Sequence, residues 1–367
     1  MHSLPHTLQT LPGDSDILLN GLVLDFVIKS PVRMHLKNSE CPLLTEPILA
    51  ELRKSGINTV LAFLSRDSET LIHVCSLTYQ VSITEAVSVK KVLLAKYSAL
   101  PHPLDEILDE APIAHLPLGC ESLDGLLGGG LSAGDLVELC GPFAVGKTQL
   151  CMAAAAAALA AGARVIFADT KGEFSSARCR QILHHRRVPH SECDRMLDRM
   201  QYAACSTVRD LLSLLEVVRS RRRLHAGLRL LVVDSLAALV APLLASPGFV
   251  GFGLLNFLGT TLKSLAADCR LTVVVTNHVV QNESGAAPGV HPALGLGWLP
   301  VPHVRLLLHR EVAANHASEP QFCLYGPRRT AILTKSVSSA CGGSAEFLVT
   351  PSGIEDPVCL RNEDLMS

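Results

Sequence analysis

Gly141-Pro142-Phe143-Ala144-Val145-Gly146-Lys147-Thr148 is the stretch that decides the fold of this chain. A glycine, four free positions, then Gly-Lys-Thr is the pattern of a phosphate-binding loop. The pattern carries weight only between a strand and a helix, and both flanks read that way. Leu136, Val137 and Leu139 precede it as a buried strand would. The alanine-rich run 151–161 follows it as a helix former. Each residue type has a physical job. Gly141 and Gly146 let backbone N–H groups face anionic oxygens without a Cβ in the way. Lys147 places a point charge near the β- and γ-phosphates, and Thr148 offers a hydroxyl to Mg²⁺. The positive end of the new helix favours the same anion. The expected nucleotide-binding set is Gly141, Pro142, Phe143, Ala144, Val145, Gly146, Lys147, Thr148 and the adjoining Gln149, with ATP and Mg²⁺ as ligands.

Working outward, 164–168, 228–233 and 271–275 are short aliphatic runs. Helical stretches such as 208–218 and 254–267 lie between them. That alternation predicts an α/β fold with a mostly parallel, twisted sheet flanked by helices. The run Leu230-Leu231-Val232-Val233 ends in Asp234. The carboxyl end of a parallel strand opens onto the phosphate crevice, so Asp234 is expected to share the Mg²⁺ shell with Thr148. Capping of the next helix is the alternative use of an Asp there.

Bulk composition narrows the class. Hydrophobic residues make up 48% and charged ones 18%, which excludes a disordered chain. Aromatics are only 4%, so the core must be built from Leu, Val and Ala. A net charge of −2 gives no global nucleic-acid signature, so DNA contact would have to come from local patches. Twelve cysteines contain no Cys-x-x-Cys pair, which reads as reduced thiol packing and not as a disulfide frame or a zinc site. No apolar run reaches membrane-spanning length, and 17–28 lacks the basic start of a signal peptide. The expected compartment is cytosolic or nuclear, with no membrane partner.

The chain before the loop divides by composition. Residues 1–33, which carry Pro5, Pro12, Gly13 and Pro31 and little periodicity, read as a poorly ordered extension. Residues 34–100 read as a small helical domain, with Leu43, Ile48, Leu49 and Leu52 at helical spacing. Lys54-Ser55-Gly56-Ile57-Asn58 is a tight turn between helices. It resembles a helix-hairpin-helix, which holds a DNA backbone through exposed N–H groups, and it equally suits a bundle that only packs. Residues 101–118 carry four prolines and read as a linker. Just before it, Tyr97-Ser98-Ala99 suits docking onto a neighbouring subunit as an added strand, or simple coverage of its own domain. The large domain is expected over 119–356 and a tail over 357–367.

Four further stretches carry a family resemblance: 118–124, the phosphate loop with Gln149, Val232-Val233-Asp234-Ser235, and Val273-Val274-Val275-Thr276-Asn277-His278. Together they look like the RecA-type eukaryotic recombinases of the Rad-fifty-one family and their paralogues. The segments 41–64, 92–99 and 292–308, the last including Trp298, are similar to the paralogue-D branch. The likeness runs from about Met34 to about Asp356, with a small insertion at 81–85. The resemblance implies a RecA-like ATPase core behind a small all-helical N-terminal domain. It implies a heteromeric complex with other recombinase paralogues, for which the docking reading of Tyr97 and Ala99 would supply a contact. It also implies contact with single-stranded or branched DNA, support of recombinase filaments in nuclear recombination and repair, and a proposed telomere role.

The departures from that family bear on mechanism. Active members end the strand after the phosphate-loop helix in Asp-Thr-Glu-Gly, where the Glu polarises water. Here the run is Asp169-Thr170-Lys171-Gly172-Glu173. A charged Lys accepts no proton. Glu173, two positions on, is the candidate catalytic substitute, and loss of a positioned base typically costs about 10²- to 10⁴-fold in rate. His278 stands where the family carries a γ-phosphate-sensing Gln; strand-end packing is its other reading. The segment 241–253 has no Lys or Arg, and 281–297 has only His291 as a cation candidate. Phosphate neutralisation needs Lys or Arg. Trp298 fits base stacking or packing. Basic groups at 219–223 and 184–187 suit nucleic-acid contact or solvated helix ends. Lys335, on a late strand, is expected to reach the nucleotide of an adjacent subunit in trans. The leading expectation is an ATP-binding assembly subunit with weak hydrolysis. The alternative is an autonomous DNA-dependent motor for strand exchange or unwinding; a small-molecule kinase would need an Arg-rich lid that is absent from the sequence.

Overall fold

Apolar residues at 49, 52, 57, 60 and 63 close a core around a turn, and this sets the first unit of the chain. The computed structural model describes residues 35–76, 82–97, 115–220, 226–245, 250–281, 290–311 and 327–357. The expected extension over 1–33 and nearly all of the tail lie outside them. The chain splits into two compact units, 1–111 and 112–367. In the first, helices α1 (Glu46–Lys54), α2 (Val60–Leu64), α3 (Ser68–Ser76) and α4 (Ile83–Tyr97) surround Leu49, Leu52, Ile57, Phe63, Leu71 and Leu93. Leu43 is exposed and precedes α1, so it is no part of that face. At the turn, Gly56 takes φ +77°, a left-handed conformation that glycine adopts without a Cβ clash. The Ile57 N–H then closes the helix end on Leu52 O at 2.8 Å.

The second unit begins with β1 (His115–Leu116), α5 (Glu121–Leu126) and β2 (Leu131–Ser132). The strand β1 pairs antiparallel with β2, and Leu116 and Leu118 are buried. The stretch expected as linker to 118 therefore gives way to core at Leu116. Pro117 did not prevent this, because β1 ends at Leu116 and no ladder bond requires an N–H from Pro117. There follow β3 (Leu136–Cys140), α6 (Lys147–Ala160), β4 (Arg164–Asp169), α7 (Ser176–His185), α8 (His190–Leu197), β5 (Met200–Ala204) and α9 (Val208–Ser220). Next are β6 (Leu228–Asp234), α10 (Leu236–Leu244), α11 (Val250–Cys269), β7 (Thr272–Asn277), β8 (Val279–Gln281) and β9 (Val290–Pro292). The last strands are β10 (Val304–Arg310), β11 (Arg329–Lys335), β12 (Ser344–Thr350) and β13 (Gly353–Glu355).

Among the described residues nine strands form one sheet in the order β13-β12-β11-β10-β3-β7-β6-β4-β5. It is parallel from β10 to β5 and antiparallel from β10 to β13. The strand β3 is buried along its whole length, which is why its sequence is a continuous apolar run broken once, at Glu138. The helix α6 is buried on all sides from Leu150 to Leu159. Its six consecutive alanines let it lie close to the sheet beneath and to α7 beside it. That placement fixes the start of α6, and with it the phosphate loop, at the carboxyl edge of the parallel strands.

Candidate functional site

The loop 141–146 leaves the buried end of β3 and enters α6 through Gly146, which has φ +105° and is the helix N-cap. A side chain there would be strained, and its Cβ would stand 3.2 Å from Arg329 Nε. The free N-terminal N–H groups of α6 thereby open onto a cavity of about 470 Å³. Its lining includes Phe143 through Gln149, Lys171, Glu173, His278 and Arg329. Most of the sequence-derived set is thus gathered around one cavity. Gly141 and Pro142 contribute their carbonyls beneath it.

Lys147 donates from Nζ to Gly141 O and Pro142 O, both at 2.7 Å. Burial, helped by the neighbouring charge of Lys171, brings its pKa down to about 8. Thr148 Oγ1 lies 2.6 Å from Asp234 Oδ2 and 3.2 Å from Glu173 Oε2. Its single proton serves the shorter contact. Asp234, at the carboxyl end of β6, also accepts from Thr276 Oγ1 at 2.5 Å. Hydroxyl and carboxylate oxygens this close are a hard-donor set that fits Mg²⁺.

Lys171 reaches into the same cluster. Its Nζ is 2.9 Å from Glu173 Oε2 and 3.9 Å from Asp234 Oδ1. The Lys171 hydrogen bond and charge hold the Glu173 carboxyl below the usual range against the opposing effect of burial. The loop that presents both residues is fixed by Asp169. Its Oδ1 accepts the N–H groups of Lys171 at 3.1 Å and Gly172 at 2.9 Å, and its Oδ2 that of Phe174 at 3.0 Å. Burial pushes Asp169 up, but these N–H bonds outweigh it and its carboxyl stays below the ordinary value.

His278 packs against Phe143 with ring centroids 4.5 Å apart. Burial first, then the charges of Lys147 and Lys171, lower its pKa, which favours the neutral ring near pH 7. Its Nδ1 is buried and has no hydrogen-bond partner. Arg329, at the start of β11, was missed in the sequence. It joins the cavity because β11 runs antiparallel beside β10 and pairs Arg329 with Arg310, at the phosphate-loop end of the sheet. Its Nη1 donates to Pro327 O at 2.9 Å, while its Nε is buried without a partner. The only sequence signal was a basic pair opening a late apolar strand.

Lys335 is not part of this cavity. Its register partner is Arg305, level with Glu138, and its Nζ donates to Leu299 O at 3.1 Å and Pro300 O at 2.7 Å. Beside it lies a second polar cluster, whose partners the sequence did not announce. Glu138, wholly buried, accepts from Asn277 Nδ2 at 2.7 Å, Trp298 Nε1 at 2.9 Å and Arg305 Nε. Trp298 is buried, so of its two readings packing holds, and it offers no ring face for a base. Arg186 likewise turns inward, donating to Leu118 O at 2.8 Å, and Arg219 is tied to Ser264 Oγ at 2.7 Å. Tyr97 ends α4, and Ala99 lies outside the described residues, as do 246–249 and 282–289 of the stretches expected near DNA. No described helix is long and apolar enough to cross a membrane.

The Rad51 family model matches residues 110–295, and the model for the RAD51D N-terminal domain matches 34–96. The "DNA repair protein RAD51 homolog 4" of Mus musculus is 32% identical over 315 residues, covering 84% of this chain and 92% of the relative. That of Bos taurus is 34% identical over 281 residues, covering 74% and 84%. The "DNA repair and recombination protein RadB" of Halobacterium salinarum is 30% identical over 66% of this chain and 94% of its own length. Among solved structures, a crystal structure of the RadB recombinase aligns with a TM-score of 0.52 at 27% identity, covering 66% of this chain and all of that one.

Proposed function

The chain belongs to the Rad51 family, and on that premise we propose that it is a paralogue subunit acting in DNA repair and recombination, which holds ATP firmly and hydrolyses it slowly. One observation carries this reading. The phosphate cavity is walled by Lys147, Lys171, His278 and Arg329, and the carboxylate nearest to a catalytic position, Glu173, is already bound to Lys171 and close to Thr148. A carboxylate engaged in this way is ionised but poorly free to draw a proton from water. Grip is favoured over turnover.

Within this reading, Gly141 to Gln149 bind the nucleotide, and Thr148 and Asp234 hold Mg²⁺, which neutralises phosphate charge when bound. ATP then acts as a staple between protomers, stabilising association by mass action. The partners are other recombinase paralogues, reached through Tyr97 and Ala99, together with single-stranded or branched DNA in the nucleus. Lys335 serves the neighbour's nucleotide in trans, while the turn at Gly56 favours the packing reading, since the N–H groups of Ser55, Gly56 and Ile57 already donate to Glu51 O, Arg53 O and Leu52 O. A steady-state ATPase assay with single-stranded DNA tests the reading. Turnover far below one per second with little DNA stimulation is expected; DNA-stimulated turnover near one per second would instead support an autonomous motor. Copurification with paralogues should succeed for the intact chain and weaken for Lys147→Ala.

A further inference from the structure

We propose that Lys171 is a built-in cation of the phosphate site, so that the chain grips nucleoside diphosphates and triphosphates without an obligatory divalent ion. The inference rests on the nucleotide-holding reading and deepens it. Three oxygen groups converge at the start of α6: the Thr148 hydroxyl, Asp234 Oδ2 at 2.6 Å from it, and Glu173 Oε2 at 3.2 Å. Into this cluster the chain inserts an ammonium, 2.9 Å from Glu173 and 3.9 Å from Asp234.

The charge count follows directly. Asp234 and Glu173 contribute two negative charges, and Lys147 and Lys171 two positive ones. These four cancel before any metal arrives, and Arg329 on the cavity wall adds a further positive charge. A carboxylate at position 171 would set three negative charges against Lys147 and Arg329, and a polyphosphate would then need a divalent ion to offset the excess. Lys171 is also held in place. The Asp169 carboxylate accepts the backbone N–H groups of Lys171 and Gly172, so the loop is pre-ordered. Its side chain is 21% exposed, which leaves its field only partly screened by solvent. Mg²⁺ remains the stronger partner, with two charges and a demand for octahedral oxygen ligands. An ammonium with three donors supplies part of the same neutralisation without that geometry.

The test is equilibrium binding of ADP to the full-length chain by calorimetry, in Mg²⁺ and in excess EDTA. For the native chain, removal of Mg²⁺ should weaken binding by less than about tenfold, and for Lys171→Glu by more than about 100-fold, each tenfold step being about 1.4 kcal/mol. Lys171→Arg should keep the tolerance of the native chain. Lys171→Gln, which drops the charge and keeps the bulk, supplies the same contrast should the Glu variant fail to fold. Equal loss on Mg²⁺ removal in the native chain and the charge-altered variants overturns the inference and leaves nucleotide binding standing. No ADP binding by the native chain in either medium overturns the nucleotide reading and this inference with it.

Discussion

Glu138 and Asp234 are both buried carboxylates on one sheet, separated by β7, yet they do opposite things. Glu138 is closed. All its partners, Asn277, Trp298 and Arg305, are themselves buried, and none lines the cavity. Asp234 is open. Its partners Thr148 and Lys171 are cavity residues, and only Thr276 holds it from within. The contrast teaches that burial of a charge does not by itself mark a functional site. What separates the two is whether the partners are locked in the interior or stand where a ligand can replace them.

The largest effect should come from the closed side. Glu138→Ala leaves the Arg305 guanidinium buried without its carboxylate, a loss of about 3–5 kcal/mol. Thermal unfolding should show a fall in Tm of about 10 °C for a unit of this size, while the folded fraction still binds ADP. If ADP binding vanished while Tm stayed put, the division between the two carboxylates would fail. On the open side, Lys147→Ala should weaken ADP binding by about 100-fold, the worth of its charge-assisted bonds to phosphate. Its Tm should move by only a few degrees, since the cost of burying that ammonium offsets its bonds to the carbonyls of Gly141 and Pro142. A large drop in Tm would make Lys147 structural. Trp298→Phe sharpens the comparison from the closed side again. It removes one donor to Glu138 and should cost about 1–3 kcal/mol of stability, measured by denaturant midpoint, with nucleotide affinity unchanged.

The smallest effect is a pH dependence. In the free protein Lys147 has a pKa of about 8, lowered by burial and by Lys171. A bound phosphate raises it again, so binding above that pH takes up a proton. ADP affinity should therefore be flat below pH 8 and fall by up to about tenfold per unit above it. The affinity of Lys147→Ala should not share that slope. The same depressed pKa works on stability: the unfolded chain binds the extra proton between about pH 8 and the ordinary lysine value, so Lys147 costs less as pH rises through that window.

Much of this contrast was written in local patterns. The phosphate loop, the strand ending in Asp234 and the alternation of strand and helix each lie within a few consecutive residues, and local rules read them well. Lys171 was legible only against the family resemblance, as a departure from its Asp-Thr-Glu-Gly run. The rest depends on which strands become neighbours. Arg329 enters the cavity only because β11 folds back beside β10, and Trp298 meets Glu138 only because the segment before β10 returns beneath β3 and β7. Nothing near 298 or 329 in the chain encodes those pairings. Glu138 itself was a visible clue, a charge within an otherwise apolar buried strand, and such a residue demands partners. Lys335 shows the converse. Its place on a late strand was readable, but its engagement with the carbonyls of Leu299 and Pro300 was not.

The central claim is that the cradle at 141–148 holds a nucleotide through Lys147. Calorimetric titration of the folded full-length chain with ADP in Mg²⁺, beside the Lys147→Ala variant, tests it most directly. The account predicts saturable one-site binding by the native chain and binding weakened by about 100-fold in the variant. No heat of binding from the native chain, or equal affinity in both, would contradict it.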